Sequence, residues 1–359
     1  MKPEKVTLND IAEKAGVSIS TVHKALYCKP GISDKVKNEI TAIADGMGYK
    51  ANFVASSLKR KPLKLAFVMP LPDFSPNRYF YHDIWKGMRA VQAEAAQFNV
   101  EILEFGFDGT MDNLPRKLEE IWKNHSDELS GLITLGLEDA ASSYFIGQFI
   151  KKKIPVVLIA SDLPNSNRLC CVSSQDTMAG SLGAEMIANF TSGNGKVIVA
   201  AGDVLISSHY LNVEGFEKFL TESSSPLTTV KLYNNDDLEK LYRDVCGLLK
   251  SDSEIKALYS CTARNTVPLC QAVIDTGMQG KIKVVGNDLF RENKEMLLRN
   301  ILQAVIYKNP YMLGFTGCKS MFNYVAKSEY PVSDTIFITP VIVVKSNLQY
   351  YESDALSEN

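Results

Sequence analysis

The chain has 359 residues, of which 45% are apolar and 22% charged; this exceeds one ordinary core and excludes the disordered, collagen-like and disulfide-scaffold classes. The net charge of −2 conceals an asymmetry, because residues 1–61 hold eleven basic against six acidic side chains (+5) and leave −7 to the remainder. A basic module on an acidic body suits a polyanionic partner for the module alone.

The first 50 residues carry no strand signal and three short helical patterns. Thr7-x-x-Asp10 reads as a capping box, with Leu8, Ile11, Ala12 and Ala15 at helical spacing until Gly16. Ser18 can cap a second helix, in which Thr21, Val22, Ala25 and Leu26 recur, and Ser33 a third, with Val36, Ile40, Ile43, Ala44 and Met47 on its apolar face. Helix, three-residue turn, helix and a supporting third helix is the DNA-binding helix-turn-helix arrangement, whose second helix enters the major groove.

Residues 51–62 contain one short helix candidate, 52–60, too brief to be stable alone in water. From residue 63, strand-like runs alternate with helical patterns: LKLAFVMP, VEILEFGF, GLITLGL and PVVLIA, then again KVIVAAG, VKLY, KALYSC and KVVGND. That rhythm predicts an α/β fold of two doubly wound parallel lobes over residues 63–350, with a cleft facing the strand carboxyl ends, and a polar tail over 351–359. The tail offers no heptad run for a helical tetramerisation segment.

Other chemistries find little support. No GxSxG, GxxxxGK[ST] or GxGxxG motif occurs, and none of His23, His82, His125 and His209 pairs with His or Cys at metal-ligand spacing, so no catalytic residue, metal or cofactor is expected. Seven Cys, with Cys170 and Cys171 adjacent, fit reduced buried thiols. No apolar run reaches the roughly 18 residues of a membrane span, and the opening MKPEKVTLND has no signal-peptide character, so a cytoplasmic protein without membrane contact is expected.

The stretch from VTLNDIAEKAGVSISTVHKAL through GYKANFVASSLKRK resembles the headpiece of the lactose-repressor (LacI) family nearly end to end, and the lobes that follow resemble a type I periplasmic sugar-binding protein. The resemblance implies a homodimeric transcription regulator that binds operator DNA under control of a small-molecule effector, a carbohydrate or a derivative of one. The alternative is a cytoplasmic sensor whose N-terminal module docks a protein. By the same resemblance, Ile19, Ser20 and Lys24 take the base-reading positions. Lys24 can donate to guanine O6 and N7, while Ile19 has a second reading as a capping contact.

Thr7, Ser18 and Thr21 fall where the family grips the backbone, and their hydroxyls also serve as caps; Leu8 is a further DNA-binding position by the same resemblance. His23 and Tyr27 depart from the family's usual Ser and Asn, which alters the expected operator. Asn52, Ala55 and Leu58 match a hinge helix that pairs on DNA, with Leu58 as the minor-groove wedge; read without the resemblance, the segment is a basic linker.

In the lobes the resemblance implies that Asp288 accepts sugar hydroxyls and that strand-end loops supply the contacts, where Asp162 occupies the strand-4 exit and Asp176 sits before the helix that begins the second lobe, equally suited to be its N-cap or first-turn residue. Phe80 and Tyr81 are candidate stacking aromatics, with Trp85 better suited to packing. Asn212, Thr262 with Arg264 nearby, and Lys308 stand where many members carry Arg, Asn and Gln. That altered polar set implies an effector unlike simple galactosides. Arg264 and Lys308 suit an anionic ligand, or are solvated surface charges.

Overall fold

The computed structural model describes residues 6–26, 31–49, 61–72, 77–108, 111–203, 206–235 and 237–351. Tyr27, Asn52, Ala55 and Leu58 lie outside the described residues.

Three helices open the chain, α1 (Leu8–Ala15), α2 (Ile19–Leu26) and α3 (Asp34–Gly46). Thr7 and Asp10 form a reciprocal capping box, with the Thr7 N–H donating to Asp10 Oδ2 at 2.7 Å, and Gly16 closes α1 in the left-handed conformation at φ 64°. Ser18 Oγ accepts from the Thr21 N–H at 3.1 Å, and Ser33 Oγ from that of Val36 at 3.4 Å. Ile11, Ala12, Val22, Ala25, Ile40 and Ala44 close a small core among the three helices.

The first lobe begins with β1 (Leu63–Pro70), α4 (Tyr81–Gln97), β2 (Val100–Phe107), α5 (Leu114–His125), β3 (Leu129–Thr134), α6 (Ala140–Lys151), β4 (Val156–Ile159) and β5 (Cys170–Ser174). The second holds α7 (Asp176–Phe190), β6 (Gly195–Gly202), α8 (Ser207–Glu222), β7 (Leu227–Tyr233), α9 (Leu238–Ser251), β8 (Ile255–Ser260), α10 (Thr266–Asp275), β9 (Lys283–Asn287), α11 (Arg291–Leu298) and β10 (Ala304–Tyr307). Three elements remain, α12 (Pro310–Lys327), β11 (Thr335–Ile338) and β12 (Val341–Val343).

The sheets run β11-β5-β4-β3-β1-β2 and β12-β10-β9-β8-β6-β7. Central strands such as β1 and β6 are buried almost throughout, because helices cover both faces. Edge strand β2 instead is buried only at its ends, Val100 and Phe107, and exposes Glu101 and Glu104.

The two lobes expected from sequence are present, but they are not divided once along the chain. After β10 the chain returns, and α12 packs on α4 and on β3, β4 and β5 of the first lobe. β11 then extends the first sheet in parallel, and β12 closes the second as its one antiparallel strand among the described residues. The chain therefore crosses between lobes three times, after β5, after β10 and after β11.

Each crossing helix is held by backbone-to-backbone approach: a Cβ on Gly314 of α12 would lie 2.1 Å from the Ile84 carbonyl oxygen of α4, and one on Gly180 of α7 would lie 1.8 Å from that of Asn212 on α8. Cys170 and Cys171 are fully buried in β5, the Cys170 thiol pushed up to about 11 by burial. Among the described residues no helix is long and apolar enough to cross a membrane.

Candidate functional site

Carboxyl ends of both sheets converge on one cavity of about 700 Å³, counting the space open to solvent. Each strand exit supplies its own part of the lining. Phe80 and Tyr81 follow β1 and enter α4; Leu135 and Leu137 follow β3; Ala160 and Ser161 follow β4; Asp176 starts α7. From the second lobe come His209 in the first turn of α8, Thr262 and Arg264 after β8, Asp288 after β9 and Lys308 after β10. Ligands bind at such strand ends in open α/β sheets because the loops there are free to vary over a fixed scaffold.

Lys308 is the centre of the charged part. Its Nζ lies 3.9 Å from Asp176 Oδ1 and 4.0 Å from Asp288 Oδ2, close enough for attraction and too long for a hydrogen bond. It also stands 5.6 Å from the Phe80 ring centroid. Asp288 is wholly buried and left-handed at φ 60°. Asn293 holds that turn, its Nδ2 donating to the carbonyls of Asn287 at 3.0 Å and Asp288 at 2.9 Å. One Asp288 oxygen, Oδ1, accepts the Lys308 backbone N–H at 3.0 Å.

Its other oxygen, Oδ2, and Asp176 Oδ1 are buried without a hydrogen bond. Burial pushes Asp176 up to about 7 and Asp288 up to about 6, in each case against the pull of Lys308. Two buried acceptors and a buried ammonium thus leave hydrogen-bonding capacity unused beside the cavity.

Of the candidates named from sequence, Phe80, Tyr81, Asp176, Thr262, Arg264, Asp288 and Lys308 meet in this cavity. Two do not. Asp162 is gripped by both Arg168 Nε and Nη2 and faces a neighbouring cavity between Ser173 and Phe337. Asn212 is buried inside the second lobe, where its Oδ1 accepts from the Tyr259 hydroxyl at 2.6 Å. Trp85 packs in the first core, its Nε1 donating to the Pro70 carbonyl at 2.8 Å.

Sequence reasoning does not find His209, since a lone His has no metal-ligand partner; its place in the helix turn after β6 is the signal that would have found it. The described residues contain no group of three His, Cys, Asp or Glu able to hold a metal ion.

The lobes also touch directly. Arg78 pairs with Glu292, the Tyr79 and Phe290 ring centroids are 4.5 Å apart, and Ser161 Oγ lies 3.1 Å from Ser207 Oγ. At the other end of the chain, Thr7, Ser18, Ile19 and Ser20 are exposed, Ile19 by 50%, whereas Thr21, His23 and Lys24 are half-buried. Leu8 packs partly against the headpiece core.

A helix-turn-helix headpiece followed by two lobes around a polar cleft defines a DNA-binding regulator with a ligand-binding body. Residues 7–52 match the bacterial regulatory proteins of the lacI family, and residues 71–329 match the periplasmic binding protein domain. The chain belongs to the lacI family of bacterial regulatory proteins and is a DNA-binding transcription regulator.

It is 22% identical to catabolite control protein A of Priestia megaterium over 90% of this chain and 93% of that one. It is 24% identical to the sucrose operon repressor of Streptococcus mutans over 50% and 51%. GanP, a glucose-galactose binding protein from Geobacillus stearothermophilus, superposes with a TM-score of 0.71 at 23% identity, covering 80% of this chain and 99% of that one.

Proposed function

We propose that the interlobe cavity binds a sugar or sugar derivative, and that its occupancy sets the affinity of a homodimer for a pseudo-palindromic operator. The single observation that carries the reading is the pair of unsatisfied buried oxygens, Asp176 Oδ1 and Asp288 Oδ2, flanking Lys308 in a cavity lined by both lobes. Sugar hydroxyls donate and accept at once, so they can satisfy both carboxylates and the ammonium together. Phe80 and Tyr81 offer apolar ring area for a sugar face, and Thr262 and Arg264 add polar contacts.

Names among the relatives and neighbours point the same way, being those of a sucrose operon repressor and a glucose-galactose binding protein. Because ligand contacts come from both lobes, binding favours the closed arrangement over an open one by its differential affinity. In this reading Ile19, Ser20 and Lys24 read bases and Thr7, Ser18 and Thr21 fix the backbone register. The protein acts in the cytoplasm, where its operator is.

The experiment is selection of bound duplexes from a random pool, followed by gel shifts of the selected duplex with and without sucrose, glucose or galactose. A sequence preference that one of these sugars strengthens or weakens supports the reading. Selection of no preferred sequence, or a preferred sequence indifferent to a broad sugar panel, overturns it.

A further inference from the structure

His209 differs in kind from the charged residues around it. It is 8% exposed and lines the cavity from the first turn of α8. Its Nδ1 accepts the backbone N–H of Asp203 at 3.0 Å. That contact needs the backbone close to the ring: Gly202 stands at φ 73°, and a Cβ there would lie 2.7 Å from Nδ1. With Nδ1 used as acceptor, the ring proton of a neutral imidazole sits on Nε2. No hydrogen bond to Nε2 is found among the described residues, and His209 is one of the residues that line the cavity.

Burial, reinforced by Arg264 and Lys308, pushes the imidazole down to about 3, with the Asp203 hydrogen bond opposing. The ring therefore stays neutral, with a single fixed N–H. Lys308 and Arg264 offer several donors each and accept many oxygen positions; an anchored imidazole accepts one.

We infer that His209 is a specificity-determining residue of the cleft, whose Nε2–H donates to one oxygen of the effector and selects ligands that place an acceptor there. The inference rests on the sugar-effector reading above and adds a residue and a direction of hydrogen bonding to it. A sugar hydroxyl suits this position because it can accept from His209 while donating elsewhere, to Asp176 or Asp288.

Two amides separate this role from a merely structural one. In His209→Asn the amide oxygen can take the place of Nδ1 and hold Asp203, but nothing reaches the Nε2 position. In His209→Gln the amide nitrogen can reach the Nε2 position without holding Asp203. The full chain is titrated calorimetrically with a broad panel of sugars and sugar derivatives, sucrose, D-glucose and D-galactose among them, and with monodeoxy analogues of whichever sugar binds wild type most tightly.

We expect His209→Asn to lose about 10- to 100-fold in affinity and His209→Gln to lose less than about tenfold, the span of one hydrogen bond in a buried site. One deoxy analogue should bind wild type and His209→Asn equally. The reverse order, Asn tolerated and Gln not, would show that His209 only props the loop at Asp203 and would overturn the inference.

Should a variant not fold, the wild-type imidazole signals in a nitrogen-proton spectrum decide: a shift of the His209 Nε2–H on adding sugar supports the contact, and an unmoved signal refutes it. Binding to wild type of no member of that broad panel of sugars and sugar derivatives would instead defeat the sugar-effector reading, and this inference with it.

Discussion

Arg78 of the first lobe pairs with Glu292 of the second, and beside that pair the Tyr79 ring meets Phe290 at 4.5 Å. Both first-lobe residues directly precede Phe80 and Tyr81, which line the cavity, so one short segment touches both the ligand space and the opposing lobe. The side chains of Arg78 and Glu292 are 49% and 26% exposed, which limits the pair to at most about 1 kcal/mol. Such a contact biases closure without governing the fold. Arg78→Glu alone should raise the open population of unliganded protein about two- to fivefold, and the exchange Arg78→Glu with Glu292→Arg should restore it. Spin labels at exposed Lys123 and Lys250 would read the interlobe distance. Equal distances in all three proteins would mean that the pair is incidental.

The two cavity carboxylates give a pH signature. Their folded values, about 7 for Asp176 and about 6 for Asp288, lie above the ordinary 3.8. Protonation is thus favoured by folding: their contribution to stability is complete below pH 3.8 and is lost as pH rises through 6 to 7. Asp176→Asn should therefore raise the melting temperature at pH 8, by on the order of 2–4 kcal/mol of stability, and do little at pH 4. It should also weaken sugar binding. A gain of the same size at both pH values would mean that the carboxyl is not the titrating group.

Gly314→Ala should strain the first lobe, because its Cβ would meet the Ile84 carbonyl oxygen at 2.1 Å and backbone cannot swing aside as a side chain can. A loss of about 1–3 kcal/mol is expected. Hydrogen exchange should quicken in α4 and α12 while α7 and α8 stay protected. Uniformly faster exchange would show instead that the lobes unfold as one cooperative unit.

Lys24→Ala tests the headpiece. If Lys24 reads a base, the selected operator should lose about 1–3 kcal/mol of binding and random duplex almost none. An equal loss on both would make Lys24 a phosphate contact.

Much of the architecture was legible because parallel strands covered on both faces read as unbroken apolar runs, as LKLAFVMP and KVIVAAG do. The last crossings were not, since β10, β11 and β12 span only four, four and three residues and their pairing is decided by contacts distant in sequence. The resemblance singled out Asp288 and Lys308, which line the cavity, whereas the strand-exit rule offered Asp162, which does not. Nothing in that rule registers Arg168, six residues on, whose guanidinium takes both Asp162 oxygens. Asn212 lies one turn deeper in α8 than His209, and a helix turn exchanges cavity for core.

The return of α12 to the first lobe also governs how the gene can be divided. A fragment ending after β5 would expose the faces of α4, β3 and β4 that α12 covers, and would leave β5 as a bare edge where β11 belongs. One beginning at α7 would carry α12 and β11 with nowhere to dock. Neither lobe exists as an uninterrupted stretch of codons, so neither can be shortened to a stand-alone sensor, or exchanged between relatives, with a single junction.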